Sequence, residues 1–165
     1  MMRLLLIIAI AVGFTANHFG YFSGYIGHDG AANQRTIEQK TSAVSQQFQR
    51  NVFDNGEQVI RQAFENHASN IQAKASGKVM KVLEDDINPP RHQRFILKTV
   101  SGISLLVAHN IDLAKRVDNL QAGDTVNFSG EYEWNKKGGV LHWTHHDPQG
   151  RHAAGWLQHN GQTYQ

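Results

Sequence analysis

Three textures of apolar and polar residues follow one another along the chain. An unbroken apolar run, Leu4 to Phe14, stands behind the basic start Met1-Met2-Arg3. From Thr36 the texture changes, and Ile37, Val44, Phe48 and Val52 recur at helical spacing among Gln, Ser and Lys. Asp54-Asn55-Gly56 predicts a break, because Asn-Gly favours positive φ and a chain reversal. A second helical pattern then runs through Val59, Ile60, Ala63, Phe64 and His67. After Ala75 the period drops towards two. Lys78–Leu83, Arg94–Val100, Ile103–His109, Thr125–Trp134 and Val140–His146 read as strands, with a short helix over Leu113–Leu120 between the third and fourth. This order predicts a fold that is mainly β with N-terminal helices, built on a small five-stranded OB-like antiparallel barrel. An open antiparallel sheet with helices on one face is the alternative. The tail from Asp147 to Gln165, with Trp156 and Leu157, is expected to fold back over one end of the barrel.

The first apolar run has eleven residues, which at about 1.5 Å each reach only ~16 Å, half of a ~30 Å hydrocarbon core. It fits a signal peptide better than a membrane span. Ala16 suits the last position before a cut, whereas Phe14 is large for its place. The chain is therefore divided into a signal peptide or N-terminal anchor (1–16), a linker and amphipathic helical region (17–75) and an OB-like β-domain (76–165). The expected location is periplasmic or secreted, with anchoring to the inner membrane if the segment stays uncut. A chain with Cys 0 has no disulfide, thiolate zinc site or cysteine nucleophile. A net charge of +2 gives no support for a broad nucleic-acid surface, although Arg91, Arg94, Lys98, Lys136 and Lys137 make a modest basic strip.

The ten histidines carry the candidate chemistry. Side chains alternate along a strand. A loop over 135–138 that packs Tyr132 and Trp134 with Leu141 and Trp143 sets Glu131 across from His142, with Glu133 on the same face. A carboxylate beside an imidazole supports acid–base work, so Glu131 and His142 are the catalytic candidates. His92, Arg94, His109 and Trp143 are candidates for binding a ligand. His145, Asp147 and His152 are candidates for holding a divalent metal, the cofactor such donors would take. His142 and His146 share a strand face but stand ~14 Å apart at strand spacing, too far for one ion. The plainer alternative is that these histidines cap strands and face solvent. Asp85-Asp86 reads as a solvated turn, and Asn110 or Asp112 as a cap.

Four segments are long enough to be specific: RHQRFIL at 91–97, LLVAHNIDLAKR at 105–116, GEYEWNKKGGVLHWTHHDPQGRH at 130–152 and GWLQH at 155–159. In these the chain resembles, from about Arg61 to the C-terminus, a bacterial family of small exported proteins known only as a domain of unknown function. The resemblance implies a single-domain envelope protein, supplies no catalytic residue or ligand, and leaves the N-terminal helical region outside as an extra arm. The leading reading is an exported OB-like binding module that meets an unidentified ligand through its His/Glu face. One alternative is a metal-dependent hydrolase of phosphodiesterase or nuclease type. There Glu131 would help hold the ion, His142 would activate water and Arg94 would steady phosphate charge. A second is a structural protein that self-associates through helices 36–67.

Overall fold

The computed structural model describes residues 29–165, with side chains from residue 33 onward. The expected signal peptide and the linker up to residue 28 lie outside the described residues. A division between two units falls after residue 39, and every strand lies in the second, 40–165. One helix, α1 (Asp29–Glu65), precedes seven strands: β1 (Ile71–Val82), β2 (His92–Lys98), β3 (Ser104–Asn110), β4 (Thr125–Glu133), β5 (Val140–His142), β6 (Trp156–His159) and β7 (Gln162–Tyr164).

The first five strands close into a barrel. β1 pairs with β4 through Ile71–Lys78 and with β2 through Lys78–Val82, with a bulge between Val79 and Lys81 where it changes partner. The ring β1-β2-β3-β5-β4 then returns to β1, the strand order of an OB barrel. The expected all-antiparallel pairing fails at one join, since β3 and β5 run parallel. The reason is parity. Directions cannot alternate all the way round a closed ring of five strands, so at least one pair must be parallel. β1 also starts earlier than Lys78. Its first half buries only Ala73 and Ala75 between the outward Gln72, Lys74 and Ser76, an alternation too faint to register as apolar.

α1 is continuous, and the break expected at Asp54-Asn55-Gly56 does not occur. Gly56 has another use: a Cβ there would lie 1.8 Å from the carbonyl oxygen of Lys74, so glycine lets the helix press against the β1 backbone. Ile60 and Ala63, on the same helical face, continue the contact into the core. That core is filled by Phe95, Leu97, Leu105, Phe128, Tyr132, Leu141 and Leu157. The Tyr132 hydroxyl keeps a partner by donating to the Gly138 carbonyl at 2.8 Å.

The helix expected over Leu113–Leu120 is also absent, and only turns connect β3 to β4. Buried side chains take the backbone groups that a helix would have used. The Gln93 amide accepts from Val117 N–H at 2.8 Å and donates to Val117 C=O at 3.1 Å, pinning Val117 in the core. The tail does fold back, as two strands. β6 pairs with residues Val126–Ser129 of β4, and Asn160-Gly161, both at positive φ, turns the chain into β7.

Candidate functional site

The β4–β5 hairpin sets the register: Glu131 pairs with His142, Tyr132 with Leu141 and Glu133 with Val140. Tyr132 and Leu141 point into the core, so Glu131, Glu133 and His142 share the outer face. His142 Nε2 lies 3.3 Å from Glu131 Oε1 and 3.9 Å from Glu133 Oε1. It is nevertheless closed to solvent and aligned for no hydrogen bond. Glu133 Oε1 also accepts from Asn70 N–H at 3.3 Å.

β5 stops at His142 instead of running on to His146, because Trp143 takes φ 51°. The alternation is broken there, and Thr144 and His145 both turn inward. Trp143 therefore leaves the core face expected for it and stacks its indole on the His152 ring, 4.1 Å between centroids and 7° from parallel. His152 donates from Nε2 to Glu131 Oε2 and from Nδ1 to the Ala153 carbonyl, each at 2.8 Å. An acceptor at each nitrogen favours the doubly protonated ring. Burial opposes that charge, but the bonds to Glu131 and Ala153 and the nearby carboxylates outweigh it and raise the pKa above the usual histidine range. Asp147 fixes the loop beneath. Its carboxylate accepts from the backbone N–H groups of Gln149, Arg151 and His152 at 2.9, 2.7 and 2.9 Å. These donors, that of Gln149 first, hold the carboxyl below the usual aspartate range against a smaller effect of burial.

His92, His142, Trp143 and His145 line one cavity of about 190 Å³ together with Ala108, Asn110 and Leu113. His145 donates from Nδ1 to the His146 carbonyl at 2.8 Å. His109 is fully buried on the inward face of β3. Its Nε2 donates to the Lys115 carbonyl at 3.1 Å, and Nδ1 accepts from the Thr144 hydroxyl at 2.8 Å. Burial, reinforced by the charges of His145 and His92, pushes its pKa down to about 4 despite its two hydrogen bonds. Arg94 turns its Nε to the Glu84 carbonyl at 3.1 Å.

With the geometry in place, comparison with known proteins assigns a family. The family described as proteins of unknown function, DUF3465, matches residues 42–165. This chain is a DUF3465 protein. The match begins within α1, well before Arg61, so the arm outside the family is confined to residues before 42. No curated protein and no solved structure matches the chain.

The DUF3465 domain thus gathers four of the sequence-derived site residues, His92, His142, Trp143 and His145, on one cavity. Glu131 and His152 meet beside it. Arg94, His109 and Asp147 are engaged with other partners. Among the described residues the three donors that come together are Glu131, Glu133 and His142, one ligand atom from each lying within 4.8 Å of the others, rather than His145, Asp147 and His152. Glu133 was the residue not singled out, although its signal was present: it lies two positions from Glu131 on a strand and so on the same face. The clamp of Gln93 on Val117 left no trace in the pattern, because an amide inside an apolar strand looks like a break in the strand rather than a partner for a distant loop.

Proposed function

We propose that this DUF3465 protein is exported to the bacterial cell envelope and works there as a binding module for a small polar ligand. It is periplasmic or secreted, or held to the inner membrane by an uncut N-terminal segment. The observation that carries the reading is the cavity in which the imidazoles of His92, His142 and His145 and the indole of Trp143 converge. Imidazole nitrogens can donate or accept, and indole adds an apolar face and one N–H, so the wall suits a ligand with several hydroxyl or carbonyl groups. The volume of about 190 Å³ fits a small molecule or one terminal residue of a larger one. By analogy of fold alone, OB barrels take ligands on the face of their second and third strands, and this cavity draws His92 from β2 and Ala108 and Asn110 from β3.

Binding is favoured over phosphodiester hydrolysis because Arg94, the residue needed to steady phosphate charge, does not line this cavity. Native mass spectrometry of the protein recovered from the envelope fraction tests the reading. A small molecule retained by the parent and lost from His92→Ala and Trp143→Ala is the expected result. Recovery of the parent without any such molecule, or equal retention by all three proteins, counts against it.

A second reading, self-association through α1, is supported by Val44 and Phe48, which are 70 % and 63 % exposed on the helix. Sedimentation of the parent as a dimer and of Val44→Ser/Phe48→Ser as a monomer is expected on that reading; a monomeric parent ends it.

A further inference from the structure

We propose that Glu131, Glu133 and His142 form a binding site for a single divalent transition-metal ion of the Zn2+ class. The site follows from strand register and does not depend on what the cavity binds. The pairing of Glu131 with His142 and of Glu133 with Val140 places one imidazole beside two carboxylates spaced two residues apart. The three donor atoms already lie within 4.8 Å of one another. Ligands around a tetrahedral ion with bonds of about 2.1 Å stand roughly 3.4 Å apart, so adjustments of about 1 Å complete the geometry.

Three further observations point the same way. His142 Nε2 is shut off from water and bonds to nothing, although two carboxylate oxygens stand within 4 Å. A buried nitrogen of that kind carries an unrecovered desolvation cost, which an ion on its lone pair removes. Next, among the described residues no lysine or arginine forms an ion pair with Glu131 or Glu133, and their ion-pair neighbours are His142 and His152. Last, His152 holds Glu131 Oε2 and leaves Oε1 turned towards His142, the kind of outer partner that orients a ligating carboxylate. One imidazole and two carboxylates form a mixed N/O set, which suits Zn2+ better than the all-oxygen shell that Mg2+ prefers. Three protein donors leave a position open for water or for a donor atom brought by a ligand.

Zn2+ and, separately, Mg2+ are titrated calorimetrically into the whole chain after dialysis against a chelator, with circular dichroism to confirm that each variant is folded. The expected result is one equivalent of Zn2+ bound at least tenfold more tightly than Mg2+. His152→Ala should weaken Zn2+ by about 10-fold, and Glu133→Gln, on a half-exposed strand face, by more. Glu131→Gln is the second ligand variant should either of these fail to fold. His92→Ala, which alters the cavity but none of the three donors, should bind Zn2+ like the parent, so failure of the ligand reading and failure of the metal site are told apart. The proposal is overturned if Zn2+ does not saturate one site, if Glu133→Gln and Glu131→Gln bind like the parent, or if binding is lost with His92→Ala and kept without the glutamates.

Discussion

Lowering the pH should destabilise this barrel through His109 in particular. The ring sits in the core as the neutral form protonated on Nε2, donating to Lys115 and accepting from Thr144. A second proton on Nδ1 would face a hydroxyl that must then turn round, in a site closed to water. The ordinary value of 6.5 holds in the unfolded chain and about 4 in the fold, so between these limits the unfolded chain binds the proton and the folded one does not. Stability therefore falls with falling pH across that window, by ~1.4 kcal/mol for each pH step. From pH 7 to pH 4 the loss assigned to this one group is about 3 kcal/mol, a large share of a small domain's stability. The assay is urea unfolding at intervals over that range, for the parent and for His109→Gln. The Gln amide can replace both hydrogen bonds but does not titrate. Groups common to both proteins cancel in the difference between the two curves, which should open towards acid by about 3 kcal/mol. Parallel curves would refute the reasoning and would mean that the ring is protonated in the fold at little cost.

Other expectations follow from contacts that leave no room or no substitute partner. Gly56→Ala drives a methyl group onto the Lys74 carbonyl and should cost about 2 kcal/mol or more in thermal or urea unfolding. Gln93→Leu strips both backbone groups of Val117 of their buried partner and should cost about 3 kcal/mol, whereas Gln93→Glu should keep the bond from Val117 N–H and lose the one to its carbonyl. Asp147→Ala frees three backbone donors, and amide exchange at Gln149, Arg151 and His152 should quicken by roughly tenfold while the β2 amides stay protected.

The β4–β5 hairpin was legible because alternation fixes which side chains share a face, and a tight loop fixes the register. Glu131 across from His142 needs nothing else. The barrel order was legible for a related reason, since five strands of modest length close most simply in that sequence of pairings. Asn55-Gly56 misled because a turn signal is a local preference, while the glycine here is required by a neighbour 18 positions along the chain, the carbonyl of Lys74. Leu113–Leu120 misled in the same way, because the backbone groups of Lys115 and Val117 are taken by His109 and Gln93 from adjacent strands. Trp143 is the case that matters most for function. Its positive φ is invisible in a strand pattern, yet it re-aims Thr144, His145 and the indole itself, and so supplies two of the seven residues of the cavity wall, Trp143 and His145.

The single parallel join also has a mechanical side. β3 and β5 share only the pairs Leu106–Val140 and Val107–Leu141, whereas β2 and β3 share seven pairs along their full length. The hoop is thus fastened by its shortest clasp at the strand that carries His142. Breathing motions should part the wall there first, and whatever occupies that strand's outer surface would act as a rivet across the gap, tightening the whole cylinder from one point.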